Sequence, residues 1–452
     1  MKKRLQVALE DKDFSELFKK GGVSFFLRIG GQVVGFLLTL LIAQYFGAEG
    51  LGEYMLAVVV LRIFTLLAKL GMDTTSIRFS ASFAAQNKWK SLLFFFKKVY
   101  SILIFSSLIF SFVMYFLSDI IADFLNINSE YIRTFSYFIL PMVFFVLHYQ
   151  SLRGLKKIAA FSFYYRMSQA LFAIIIILIL LQFSNDPSIP FYAYIISLLL
   201  VSILSFISFW NVLKEKNNNY KEEIIIEHQT LKDILVIALP LMLAQSVQLI
   251  MAWTDKLMIG NMMSAMDVGI YGVAFKLSMF ASVTLMAINS IAAPKFAEMY
   301  GEKNMKDLKK VAQKSTKMIF WSTLPLLIIF FLFPTFFLGI FGGEFKTGVN
   351  AFIILSVGML ISAFSGSVGN LLQMTGKQLV FMKILIVGAI INIGLNYLLI
   401  PANNPLAELG ISGINGAAVA SMCSIIFWNL SMVLVVKKQF GFLTVYIPFR
   451  KR

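Results

Sequence analysis

Runs of apolar residues too long for a soluble core decide what this chain can fold into. Phe172 to Leu181 holds no polar side chain, and several runs exceed the roughly 20 residues that carry a helix across bilayer hydrocarbon. In lipid the backbone must satisfy its own hydrogen bonds, so such runs are helices. Strands of a lipid-exposed barrel would alternate polar and apolar residues, and these runs do not. Of 452 residues, 59% are hydrophobic and 14% charged, against about 25% charged in a soluble domain. The chain reads as an all-α integral membrane protein.

Twelve transmembrane helices are expected, at 22–46, 51–70, 92–117, 131–152, 158–183, 189–213, 234–262, 267–294, 316–341, 348–372, 379–400 and 411–436. Gly22 to Phe46 is expected to stay as the first span, because it is too long for the apolar region of a cleaved leader. Basic residues fill every second loop: Lys2, Lys3 and Arg4 at the start, then Lys88 and Lys90, Arg153 and Lys156, Lys214 and Lys216, Lys306 and Lys309, and finally Lys437 and Lys438. Gly47 to Leu51, Ser118 to Glu130, Ser184 to Ser188 and Met263 to Met266 carry no base, and Lys346 is the exception. The positive-inside rule places the basic loops and both termini in the cytoplasm. The formal charge of +17 then reports topology and attraction to anionic lipid. No basic and aromatic nucleic-acid module is visible.

A polar linker, 214–232, divides the chain into an N-lobe of spans 1–6 (1–213) and a C-lobe of spans 7–12 (233–436), with a cytoplasmic tail at 437–452. The halves repeat. The 217-residue shift that carries Arg78 onto Lys295 also brings Ile42 onto Ile259, Ala48 onto Ala265, Gly52 onto Gly269, Tyr54 onto Tyr271 and Asn87 onto Asn304. Six spans is an even number, so the repeat is parallel, with its pseudo-twofold axis along the membrane normal. Two such pseudo-symmetric six-helix lobes around a central cavity are a transporter plan.

Ionisable groups inside spans are costly and mark pathways. They are Arg28, Arg62, Lys69, Arg166, Asp255, Lys256, Lys276 and Lys383, with Asp73 near the inner end of span two. Arg62 lies about 16 Å along its helix from the outer end, near the midplane. Lys69, Lys295 and Lys383 are placed to snorkel to the inner surface. For Arg28 and Arg62 the alternative to a cavity role is a salt bridge with Asp73 or Asp255. Asp255 and Lys256, being adjacent, point to different helix faces. A cavity rich in cations suits an anion, and guanidinium groups suit phosphate in particular. Arg28 and Arg62 are therefore the candidate ligands, with Arg166, Lys256 and Lys276 as helpers. Asp73 and Asp255 are the candidates for ion coupling.

Other features have ordinary readings beside functional ones. Cys423, the one cysteine, makes no internal disulfide or thiolate cluster. His148 and His228 are assigned to packing or solvation. Gly30, Gly31 and Gly35 form a small face on span one, and Ser362, Ser365, Gly366, Ser367 and Gly369 form one on span ten; both serve helix packing or widen a groove. Pro141, Pro240, Pro294 and Pro325 can kink spans. Tyr164, Tyr165, Trp253 and Trp428 fit interface anchoring or stacking on sugars. No enzyme, nucleotide-binding or metal motif is present, so neither a cofactor nor a metal is expected.

The segments Leu371-Leu372-Gln373-Met374-Thr375-Gly376-Lys377, Asn392 with Asn396, Leu399-Ile400-Pro401, Gly410 to Gly413 and Gly416 to Ala420 resemble the C-terminal signature of polysaccharide flippases. Phe46 to Tyr54 and Leu70-Gly71-Met72 resemble the N-terminal part of the same family. It belongs to the multidrug, oligosaccharidyl-lipid and polysaccharide exporter superfamily. The resemblance implies alternating-access export of undecaprenyl-diphosphate-linked repeat units of O-antigen or capsule from the cytoplasmic leaflet of the bacterial inner membrane. The partners it implies are the anionic lipid-linked oligosaccharide, membrane lipid, and polysaccharide polymerase or ligase proteins. The chain departs from lipid II flippases, which usually have fourteen spans, and from multidrug exporters, because its span one holds no carboxylate. A multidrug exporter and a membrane enzyme of polysaccharide assembly are the competing readings; the short outer loops argue against the enzyme.

Overall fold

The computed structural model of the chain describes residues 12–219 and 231–446. The first basic residues, most of the central linker and the end of the tail lie outside the described residues, as does the side chain of Arg28. Among the described residues there is no strand.

In chain order the helices are α1 (Lys12–Ala68), α2 (Met72–Ala85), α3 (Trp89–Phe116), α4 (Ser118–Leu125), α5 (Ser129–Ser136), α6 (Ile139–Gly154), α7 (Ile158–Phe163), a π-turn at Tyr164–Ser168, α8 (Gln169–Leu180), α9 (Ile189–Asn219), α10 (Leu231–Met262), α11 (Ala265–Met279), α12 (Ser282–Gly301), α13 (Met305–Leu332), α14 (Pro334–Gly339), α15 (Val349–Ser365), α16 (Val368–Met374), α17 (Gln378–Leu399) and α18 (Gly413–Phe440). Eight described elements are long and apolar enough to cross a membrane, and two bent pairs, α5 with α6 and α11 with α12, bring the number to 10. This multi-pass architecture agrees with the sequence, but ten is fewer than the twelve expected. The first two expected spans run together in α1, which is 57 residues long and interrupted at Gly47 (φ 68°, ψ −173°). The seventh falls on α10, which is only partly described.

The interruption at Gly47 has a local cause. Its backbone conformation favours glycine, and a Cβ there would stand 2.9 Å from Glu344 Oε1. The Ala48 amide donates to that same oxygen at 2.6 Å, so a carboxylate caps the helix that restarts there. A second break separates α1 from α2, where Leu70 (φ 47°) and Gly71 (φ 76°) are both left-handed. A Cβ on Gly71 would lie 2.1 Å from the Ala238 carbonyl oxygen. A third ends α15 at Gly366 (φ 70°), so the small residues expected on one face of span ten instead hold a break in it.

The described parts of Met1–Ile42, Ala57–Asp123 and Asn128–Gln245 form one compact unit. In it α6 packs on α2, α3 and α9, and α8 packs on α9. His148 of α6 meets Tyr100 Oη at 2.8 Å through Nε2 and stacks on Phe209 at 5.7 Å. It is a buried packing residue. The second unit consists of Ala43–Leu56, Phe124–Ile127 and the described part of Ser246–Arg452. There α18 packs on α15 and α17, and α13 on α12 and α15.

Candidate functional site

In the first unit, the close approach of two backbones fixes the position of Arg166. A Cβ on Gly31 would lie 2.7 Å from Arg166 Cβ and 2.9 Å from its carbonyl oxygen, so the small face of span one admits the π-turn. Tyr164 anchors that turn inward: its hydroxyl donates to the Leu204 carbonyl at 3.0 Å and meets Ser208 Oγ at 2.7 Å. The extra residue of a π-turn shifts the helix register, and the next two side chains, Tyr165 and Arg166, are exposed. The Arg166 guanidinium lies 4.6 Å from the centroid of the Tyr165 ring. That ring stacks on Phe161 at 5.4 Å and 10°. Tyr164 is thus an anchor, and Tyr165 supports a cation.

Arg62 emerges exposed from α1. Tyr149 on α6 is buried and packs on Tyr165 at 5.6 Å. Arg28, three residues before Gly31 on the same helix, has no described side chain.

Asp73 opens α2, and the Lys69 ammonium donates to its Oδ2 at 2.6 Å. Both side chains are buried, Lys69 8% and Asp73 2% exposed. This corrects the expectation that Lys69 snorkels. The helix breaks just after Lys69, and the side chain is closed in against the next helix instead of continuing toward the surface. The other oxygen of Asp73, Oδ1, is buried without a hydrogen-bond partner.

In the second unit Asp255 occupies a different environment. Tyr271 Oη donates to its Oδ2 at 2.6 Å, and Ser421 Oγ donates to the same oxygen. Asn392 and Asn396 donate to Oδ1 through Nδ2 at 3.0 and 2.7 Å. Three further helices, α11, α17 and α18, thus supply neutral polar groups to one carboxylate that is 6% exposed. The spacing of Asn392 and Asn396 places both on one face of α17. Asn396 Oδ1 has no hydrogen-bond partner. Lys256, adjacent to Asp255, and Lys276 on α11 are partly buried in this unit.

The structure therefore places Arg62, Arg166 and Asp73 in one unit, and Asp255, Lys256 and Lys276 in the other. Sequence reasoning did not single out Tyr149, or Tyr271 and Ser421, whose polar atoms sit in otherwise apolar runs. Among the described residues no cluster of three or more His, Cys, Asp or Glu side chains could hold a metal.

Residues 17–300 match the family described as polysaccharide biosynthesis protein, and residues 240–398 match MatE. The fold is similar to that of a multidrug resistance MATE family transporter of the MOP superfamily in an inward-facing conformation, with a TM-score of 0.69 at 17% identity over 91% of this chain and 94% of that one. It is similar also to the lipid II flippase MurJ in an inward closed conformation, with a TM-score of 0.69 at 14% identity over 94% of this chain and 89% of that one. An uncharacterized membrane protein of Methanocaldococcus jannaschii is 24% identical over 392 residues, 80% of this chain and 73% of its own length.

Proposed function

The chain belongs to the polysaccharide biosynthesis protein family, and from that membership and its transporter fold we propose that it moves an anionic, diphosphate-linked oligosaccharide lipid from the cytoplasmic to the outer leaflet by alternating access. The observation that carries this reading is Arg166, whose backbone is fixed against Gly31 and whose guanidinium lies over the Tyr165 ring, in the same unit as Arg62. Asp73, the carboxylate that opens α2, is paired with Lys69. Guanidinium groups bind phosphate oxygens bidentately. Arg28, on the same helix as Gly31, is assigned to the same task, and Lys256 and Lys276 are kept as candidate helpers. The fold likeness to a lipid II flippase is consistent with a lipid diphosphate as cargo.

Asp255 is assigned to coupling. Its surroundings offer carboxylate, amide and hydroxyl oxygens, the donors that a small hard cation takes. Rotation of the Asn396 amide would turn its unpartnered oxygen toward such an ion. Protonation of the carboxylate would serve as well, and dependence of transport on an imposed sodium or proton gradient distinguishes the two.

Export of a cationic drug is the second reading. It is favoured by the MatE match over residues 240–398 and by the presence of a buried carboxylate, Asp255. One experiment separates the two readings. Cells depleted of the protein are converted to spheroplasts, and outer-leaflet glycolipid is labelled with an impermeant probe. Accumulation of unlabelled diphosphate-linked sugar, rescued by the wild-type chain but not by Arg62→Ala with Arg166→Ala, supports the flippase reading. Normal labelling with increased drug sensitivity overturns it in favour of drug export.

A further inference from the structure

The rings that support Arg166 hold a second guanidinium. Arg153 stands in the last turn of α6. A short turn with Lys156 left-handed (φ 58°) folds α7 back, and the Arg153 guanidinium lies 5.3 Å from the centroid of Phe161. Phe161 stacks on Tyr165, and Arg166 lies over Tyr165. Each ring of one stacked pair thus carries one guanidinium. Tyr149 packs on both rings, at 6.1 and 5.6 Å, and Tyr149 and Phe161 are buried, so the mount is rigid. A cation at a helix C-terminus ordinarily serves the last carbonyls. Here the backbone serves them: the Lys156 amide donates to the Arg153 carbonyl at 3.1 Å and the Lys157 amide to the Leu152 carbonyl at 2.9 Å. Among the described residues neither guanidinium is hydrogen-bonded or ion-paired. A guanidinium held by its flat face keeps its in-plane N–H donors, the ones that grip phosphate, for another partner.

We propose that Arg153 is a second phosphate station, which captures the diphosphate headgroup of the cargo before Arg166 holds it. Arg153 is exposed and shares its basic turn with Lys156 and Lys157, which are exposed as well. Arg166 lies farther along, inside Ile158–Leu180, an element long and apolar enough to cross a membrane. An exposed cation there is stable only against water, so it faces an aqueous path and not lipid. Steps of 5.3, 5.4 and 4.6 Å connect Arg153, Phe161, Tyr165 and Arg166. A headgroup can therefore exchange one guanidinium for the next without passing unpaired over apolar surface, the step that desolvation makes costly. This inference rests on the reading of the protein as a mover of diphosphate-linked lipid and adds to it the residue that sets how fast cargo is taken in.

The test is stopped-flow measurement of farnesyl diphosphate binding to the full-length protein in nanodiscs of neutral phosphatidylcholine. A charge at the rim of a site acts mainly on association, and a contact inside it on dissociation. Arg153→Gln should slow association about tenfold, flatten its salt dependence, and leave dissociation within about twofold of wild type. Arg166→Gln should instead speed dissociation. Lys157→Gln removes a charge from the same turn and should slow association by less than about twofold. If Arg153→Gln melts below wild type, Arg153→Lys takes its place; it keeps the charge, loses the planar fork, and should slow association about threefold. Inorganic pyrophosphate identifies the source of the phosphate. An Arg153 effect that pyrophosphate shares assigns the station to phosphate as such, and one confined to farnesyl diphosphate assigns it to the lipid-linked form. Binding that depends on Arg166, with Arg153 variants associating no more slowly than Lys157→Gln, overturns the station and leaves the phosphate site standing. Absence of any binding by the wild type overturns both.

Discussion

Gly52 lies so close to the carbonyl oxygen of Ala265 that a Cβ on the glycine would stand 1.7 Å from it, and Gly269 meets the carbonyl of Ala48 in the same way at 2.0 Å. The 217-residue shift that relates the halves carries Ala48 onto Ala265 and Gly52 onto Gly269. The contact is therefore its own pseudo-twofold image, made backbone to backbone because neither partner has a side chain in the way. Gly52→Val and Gly269→Val must each part the two segments. Overpacking of this kind costs about 1–3 kcal/mol, and a lowered melting temperature of the purified protein measures it. Both substitutions open one contact, so the double variant should lose less than the sum of the singles. Full additivity would mean that the two glycines do not share an interface.

Two neighbouring glycines on span one offer an internal control for the cation site. A Cβ on Gly31 meets the Arg166 backbone within 3.0 Å, whereas nothing lies within 4 Å of one on Gly30. Gly31→Leu should displace the π-turn that presents Arg166 and cut surface glycan at least as far as Arg166→Ala does. Gly30→Leu should be tolerated. Membrane insertion, followed by fractionation, should be the same for all three. Equal loss in both glycine variants would mean that general crowding of span one, not the position of Arg166, controls transport.

The polar shell of Asp255 makes separable predictions for stability and coupling. Asp255→Ala strips Tyr271, Ser421, Asn392 and Asn396 of a shared acceptor, and each buried group left unsatisfied costs about 1–3 kcal/mol. That variant should melt well below wild type. Asp255→Asn keeps the shape and should melt near wild type while losing gradient-driven transport. Tyr271→Phe removes one of several donors and should cost about 1 kcal/mol with transport partly retained. If Asp255→Asn transports normally under an imposed gradient, the carboxylate is structural.

Helical membrane architecture was legible because it rests on local pattern, the length of the apolar runs. The breaks were less so. Gly47 and Gly366 were visible as glycines, but only the neighbouring Glu344 and Thr316 turn them into interruptions. Leu70 at φ 47° carries no sequence signal for a left-handed turn, so Lys69 was read by its depth along a continuous helix and sent to the surface. Lys69 and Asp73 four residues apart look like an ordinary helical pair, and their burial comes from the break between them. Asn392 and Asn396 were recognised as part of a motif, but their common partner lies 137 and 141 residues away. Such a separation is set by tertiary packing, which no local window reads.

Asn126 and Asn261 form a reciprocal clasp whose strength can be measured directly. The Asn126 amide donates to the Gly260 carbonyl at 3.0 Å, and the Asn261 amide donates to the Phe124 carbonyl at 2.9 Å. Each side chain thus satisfies a carbonyl in the last turn of the other's helix, α10 or α4, where intrahelical partners run out. Asn126 itself is left-handed at φ 54°, a conformation asparagine tolerates better than most residues. Asn126→Ala would combine loss of the bond with backbone strain, so Asn126→Gly is the cleaner substitution, removing the amide alone. Asn126→Gly and Asn261→Ala should each cost about 1 kcal/mol, the net worth of a neutral hydrogen bond. The two bonds hold the same pair of helix ends, and losing one lets the ends separate and weakens the other. The double variant should therefore fall short of additivity by about 0.5 kcal/mol or more in melting experiments on the purified protein. Strict additivity would show that each amide caps its carbonyl independently and that the helix ends are held together by other contacts.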